Sequence, residues 1–195
     1  MNRVLSCIVV LFFSLPSHAQ GYNDSIARFQ QAYVASHEVV KGDDRGKISF
    51  YPVSEAYCVK ARMEMKPASG WFRMETTGLM KPLYRVYAIA HLALNGDSLH
   101  LPVYQSQDLL ENERYRTYLM LPFTDATSGH GSYAGGRYLD FTTGEIVNGW
   151  LTIDFNKAYN PYCAYVSGRY NCPVPPAANA IPGPVEAGEK SYADH

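Results

Sequence analysis

The segment Asp154-Phe155-Asn156-Lys157-Ala158-Tyr159-Asn160-Pro161-Tyr162-Cys163-Ala164-Tyr165, continued by Tyr170-Asn171-Cys172-Pro173-Val174-Pro175-Pro176, crowds carboxylate, amide, phenol and thiol groups beyond the needs of core packing. Asp154 and Asn156 are two residues apart, so on a strand they share a face while Phe155 points the other way. Should Arg137 meet Asp154 across a sheet, the two would form a bidentate pair in a partly dry pocket. Glu189 would bring a third charged group to the same place. Two carboxylates a suitable distance apart are the minimum for glycoside hydrolysis or other general acid and base work. The competing reading is structural: Asn156, Asn160 and Asn179 satisfy backbone groups of an irregular strap that has few ladder bonds of its own.

A second polar cluster runs from Thr124 to Arg137, Thr-Asp-Ala-Thr-Ser-Gly-His-Gly-Ser-Tyr-Ala-Gly-Gly-Arg. Its glycines allow close backbone approach to a ligand, and Asp125, Thr127, Tyr133 and Arg137 could orient polar groups on one. It lacks the Gly-x-x-x-x-Gly-Lys-Ser/Thr of a phosphate loop, and neither Ser128 nor Ser132 sits in Gly-x-Ser-x-Gly. Against the ligand reading stands a hairpin loop in which Asp125 caps backbone amides and Arg137 pairs with Asp140 or Asp154. His130 would be a general base beside Asp125, although a loop histidine is more often merely solvated. His91 alternates with Arg85, Tyr87 and Ile89 and reads as a sheet-face residue.

Residues 1–19 read as an address. Arg3 gives a positive start, Val4 to Leu15 an apolar run too short to span a bilayer, and Ser17-His18-Ala19 a small-x-small cleavage signal. The expectation is an exported protein of the periplasm or extracellular space that begins at Gln20 and has no membrane span after cleavage. Cys7 leaves with the leader. Cys163 and Cys172 are then the natural disulfide pair, and Cys58 is left over. Zinc is the rival for that pair, but no Cys-x-x-Cys spacing or nearby His supports it. No metal and no cofactor are therefore expected.

The net charge of −1 and the absence of a basic stripe argue against nucleic acid as a partner, since that mode needs clustered Lys and Arg. Sixteen tyrosines outnumber eight phenylalanines and two tryptophans, a bias that fits half-buried sheet surfaces and polar pockets better than a greasy core.

These groups must be held by something, and the chain supplies one helix followed by strands. Asn23, Asp24 and Ser25 can cap a helix whose Ile26, Phe29, Gln30, Tyr33 and His37 recur at helical spacing, up to about Val40. Residues 20–47 thus form a helix and its connection, and 48–195 a single β-rich domain. Tyr57, Val59, Ala61, Met63 and Met65 alternate with polar residues as a half-buried strand does. Trp71 to Thr77 reads as the next strand. Tyr84 to Leu94 and Leu99 to Gln105 flank Asn95-Gly96, the strongest hairpin signal present. Arg116 to Phe123, Arg137 to Phe141 and Gly149 to Phe155 follow. The prolines from Pro173 to Pro184 forbid a central strand, so the tail reads as an extended strap. The expected fold is mainly β, an antiparallel curved sheet or partly open barrel with one N-terminal helix and a Pro-rich C-terminal strap.

Phe123-x-Asp125-x-Thr127-Ser128-Gly129, Tyr133-x-x-Gly136-Arg137-Tyr138-Leu139-Asp140, the opening segment, Cys172-Pro173-x-Pro175-Pro176, Asn179 and Ala187-Gly188-Glu189 together resemble the domain-of-unknown-function family 1684. The resemblance spans roughly Tyr51 to Lys190, in a short exported form, and implies no activity. From the residues alone, the leading expectation is a domain that binds a small polar ligand, sugar- or peptide-like, through Asp125, Thr127, Tyr133, Arg137, Asp154, Asn156, Tyr159, Asn160 and Glu189. The alternatives are a hydrolase using Asp125, Asp154 or Glu189 as acid and base, and a scaffold without catalysis. The residues do not indicate an oligomeric state.

Overall fold

The computed structural model describes residues 17–192, so the expected leader, 1–19, lies outside it apart from its last positions. Helix α1, Ser17–Ser36, begins earlier than its expected caps, which places Asn23, Asp24 and Ser25 inside it. Its apolar stripe is short. Ile26 is buried, and Tyr22 and Tyr33 carry hydroxyls into the body of the protein. Among the described residues no helix is long and apolar enough to cross a membrane.

Among the described residues seven antiparallel strands make one sheet: β1 Cys58–Met65, β2 Phe72–Arg73, β3 Leu83–Leu94, β4 Asp97–Ser106, β5 Tyr118–Phe123, β6 Arg137–Thr142 and β7 Trp150–Asp154. Their order is β6-β5-β4-β3-β1-β7, with β2 beside β3. The β3–β4 hairpin turns at Asn95 and Gly96, with φ of 51° and 90°, the double positive φ that an Asn-Gly pair supplies. Two expectations shrink. The strand expected over Trp71 to Thr77 is only two residues long, and the short helix α2, Gln107–Leu110, follows β4 without a periodic signal to announce it.

The sheet curls until its edges nearly meet. Tyr138 at the start of β6 exchanges backbone bonds of 2.9 and 3.1 Å with Tyr159, just after β7. Inside the curl, Phe123 and Phe155 stack edge to face at 5.3 Å. The main core, from Ala61, Ala88, Val103, Leu121 and Ile153, fills the concave side. A register shift between Val86 and Ala88 lets β3 serve both faces: Ala88 and Ala90 join this core, while Tyr84 joins Met74, Tyr104, Met120 and Tyr138 in a tyrosine-rich cluster on the other.

The strap closes the open side. Val185 and Ala187 are fully buried against the core, and Glu189 donates its N–H to Ala158 O at 2.8 Å. Gly188 permits that approach: its φ is 76°, and a Cβ there would lie 2.6 Å from Ala158 O and 2.7 Å from Phe155 O. Cys163 and Cys172 are disulfide-bonded, closing a short hairpin at the start of the strap, and Cys58 is free. Replacing both bridged cysteines by serine is expected to lower stability by roughly 2 to 3 kcal/mol in urea unfolding, through the freed loop entropy. An unchanged unfolding midpoint would show that this hairpin is ordered without the bond.

Candidate functional site

The expected site residues divide into five places, and of these residues only Tyr159 and Asp154 line an open cleft. Asp125, Thr127 and Arg137 form a buried clamp. Arg137 Nη2 lies 3.1 Å from Asp125 Oδ1, with both side chains fully buried, and donates to Val185 O at 2.8 Å. Its Nη1 donates to Ala187 O and Glu189 O. Asp125 also accepts from Thr127 N at 3.1 Å, Thr127 Oγ1 at 2.8 Å and Val185 N at 2.7 Å. The groups expected to hold a ligand therefore hold the strap. Burial pulls the Arg137 guanidinium below its ordinary pKa, and the Asp125 charge opposes that shift.

The expected pairing of Arg137 with Asp154 or Asp140 is not what forms. Arg137 and Asp140 sit at odd spacing on β6, so the strand pleat sends them to opposite faces. Asp154 instead accepts from Tyr22 at 3.0 Å and from Asn156 Nδ2 at 2.9 Å. The chain leaves the strand at Asp154 and enters a 3-10 turn, Phe155–Lys157, which Asp154 caps through Asn156 N at 3.1 Å. Asn156 thus does not continue the strand face. Its amide is bound on both ends, Nδ2 to Ser54 O and Oδ1 to Ser54 N, so it fastens the 54–57 segment to β7. Tyr22 and Cys58 stay protonated, since burial and then the Asp154 charge push both upward.

Glu189 is fully buried behind α1. Its Oε2 accepts from Asn160 N at 2.9 Å and Tyr33 at 3.1 Å, and its Oε1 from Tyr165 at 2.6 Å. Burial lifts its carboxyl to about 7 against these donors. Asn160 donates to Lys190 O at 2.7 Å, and its Oδ1 is buried without a partner. Tyr133 lies in the loop before β6, where its ring covers Gly135.

Tyr159 alone among them reaches the centre of a cleft of about 940 Å³ between α1, the outer face of β5 and β6, and the disulfide hairpin. At its floor stands Asp140. Tyr118 donates to Asp140 Oδ1 at 2.6 Å, and Tyr159 Oη lies 2.9 Å from both carboxylate oxygens. Asp140 is accessible from the cleft but enclosed by protein on its other sides. That enclosure raises its pKa, and the two phenol donors oppose the rise. Tyr118 and Tyr159 are pushed well above the ordinary phenol range, first by burial and then by the Asp140 charge, so both keep their protons. Tyr138 stands perpendicular to Tyr159 with ring centroids 5.9 Å apart, and its hydroxyl donates to Pro173 O, which ties the hairpin to the cleft wall. Asp154 lines the same cleft, whereas Asp125 and Glu189 do not.

Asp140, Tyr118 and Tyr138 escaped the sequence reading as site residues. The signal was present in the alternation Arg137-Tyr138-Leu139-Asp140, which puts Tyr138 and Asp140 together on the face opposite Arg137. Two histidines bear on the sequence reading. His130 makes no side-chain bond to Asp125, whose acceptors are taken by Arg137, Thr127, Ser128 and Val185. His91, on the sheet face as expected, meets His100 across the hairpin at 2.7 Å and Glu64 at 2.9 Å.

The family model described as "Protein of unknown function (DUF1684)" matches residues 45–190. No curated protein matches the chain. Among solved structures, the solution structure of an uncharacterised protein from gene locus rrnAC0354 of Haloarcula marismortui is similar, with 26% identity and a TM-score of 0.68. The similarity covers 93% of this chain and 100% of that one. A match over residues 45–190, most of its length, places this chain in the DUF1684 family.

Proposed function

We propose that the protein binds a small polar ligand in the tyrosine-lined cleft, with Asp140 as its polar anchor. The observation that carries this reading is a carboxylate held by two phenols at the floor of a cleft, where it is reachable from outside. A concave, largely aromatic cavity with a few fixed polar groups is the usual form of a small-molecule site. The clamp and the Asn156 network have structural partners of their own, so the ligand-binding expectation moves from them to Tyr159 and Asp140. Of the carboxylates considered as an acid and base pair, only Asp154 lines the cleft. We further propose export, supported by the leader-like N-terminal sequence and the Cys163–Cys172 disulfide.

The test is a thermal-shift screen of the protein from Gln20 onward with neutral monosaccharides, N-acetylated sugars, dipeptides, amino acids and small amines. At least one class is expected to raise the melting temperature by a few degrees through mass action, and Asp140→Asn is expected to abolish the shift. A panel in which nothing stabilises the protein, or stabilisation that survives Asp140→Asn, overturns the proposal.

A further inference from the structure

We propose that the occupant of this cleft is a small organic cation, an amine or a quaternary ammonium, seated among the tyrosine rings with its charge against Asp140. The inference rests on the cleft being a ligand site and names the ligand class.

The first argument is which groups remain available. Tyrosine hydroxyls would ordinarily make such a cleft suit a sugar, but those of five of its tyrosines are committed. Tyr118 and Tyr159 donate to Asp140, Tyr138 to Pro173 O, Tyr33 to Glu189 and Tyr162 to Glu38. Each phenol has one proton to give. Around Asp140 the cleft thus offers ring faces and carboxylate lone pairs, while Tyr115, Tyr170, Asn171 and Lys157 also line it. Asp140 Oδ2 has only the shared Tyr159 proton, so it keeps acceptor capacity. Ring faces and carboxylate acceptors are what a cation seeks, whereas a sugar needs donors as well.

The second argument is charge. Glu38, Asp140, Glu145 and Asp154 all line the cleft, and among the described residues none of them makes an ion pair. Lys157, which also lines it, extends over the Phe29 ring at 5.6 Å. The enclosed carboxylate on the floor thus has hydrogen-bond donors but no counter-charge, and the wall beside it is a corner of two perpendicular rings, Tyr138 and Tyr159. A cation placed there gains both a carboxylate and π faces, while an anion would meet uncompensated negative charge.

The test uses choline and n-butylamine as separate probes and 3,3-dimethylbutan-1-ol, the uncharged counterpart of choline, as control, each titrated calorimetrically into the protein from Gln20 onward. At least one cation is expected to bind about tenfold or more tighter than the alcohol. The same cation is expected to lose a similar factor in Asp140→Asn, with Tyr159→Phe as a second variant should Asp140→Asn fail to fold. The comparison of choline with the alcohol needs no variant at all. Equal binding of charged and uncharged probes overturns the inference, and so does an absence of binding by both cations. If a neutral sugar from the screen binds in an Asp140-dependent way while the cations do not, the cleft remains a ligand site and the cation assignment falls.

Discussion

Replacing Arg137 by methionine is expected to cost roughly 3 to 5 kcal/mol, the range for breaking a buried ion pair by removing one partner. The side chain is fully buried and reaches the Asp125 carboxylate and the carbonyls of Val185, Ala187 and Glu189 with one group. Methionine fills a similar volume but donates nothing. It leaves the Asp125 charge without a counter-ion and strap carbonyls without donors, and each such orphan is expensive in a dry interior. Arg137→Lys should rescue little, because one compact ammonium cannot reproduce the guanidinium fork. Urea unfolding measures the loss, and limited proteolysis locates it, with first cleavage expected between Pro173 and Lys190. A loss below about 1 kcal/mol would show that the strap holds by apolar burial alone. Against a total stability of about 5 to 15 kcal/mol, the expected change is large enough to unfold a marginal domain.

Glu189 is expected to make stability fall as pH rises from about 4.5 to 7. Its folded-state carboxyl is lifted to about 7 by burial. In the unfolded chain an ordinary glutamate titrates near 4.3. Between those values the folded state holds a proton that the unfolded state has released, so the slope of stability against pH is negative. The stabilising contribution is complete below the unfolded value and lost through pH 7. At about 1.4 kcal/mol per unit, the full effect is roughly 3 to 4 kcal/mol. Other carboxylates act in the opposite sense on acidification, so the quantity to measure is the difference between the native protein and Glu189→Gln. Glutamine keeps an acceptor for Asn160 N and a donor for Tyr165 without a titrating proton. The difference should shrink toward acid and grow toward pH 8. A difference that is flat with pH would mean that Glu189 is already ionised in the folded state. Because Tyr33 brings α1 to this carboxyl, the exchange protection of α1 amides, corrected for the intrinsic rise of exchange with pH, should fall over the same interval in the native protein but not in Glu189→Gln.

Much of the architecture was legible because period-two patterning is a local property. The alternation of β1, the Asn-Gly hairpin of β3 and β4, and the prolines of the strap each announce a structure that needs no distant partner. The disulfide was legible too, since only eight residues lie between its cysteines and Cys58, the other cysteine among the described residues, lies far upstream. Phe72–Arg73 is shorter than Trp71 to Thr77 suggested because β2 borders β3 only where β1 has left that edge.

The site was legible only in part, for the same reason in reverse. The sequence marked Asp125, Arg137 and Glu189 as unusual polar residues but could not say whether their partners would be a ligand or the chain itself. That choice depends on where residues about 50 positions downstream of Arg137 return, and the strap brings carbonyls, not solvent, to the guanidinium. Asp140 presents the opposite case. One pleat beyond Arg137 it reads as an ordinary exposed strand carboxylate, and it becomes the floor of a cleft only because the curled sheet sets Tyr159 and the disulfide hairpin beside it. Local patterning determined the helix, the strands and the extended tail; sheet curvature and the return of the tail, both long-range, decided which polar groups hold the fold and which face a ligand.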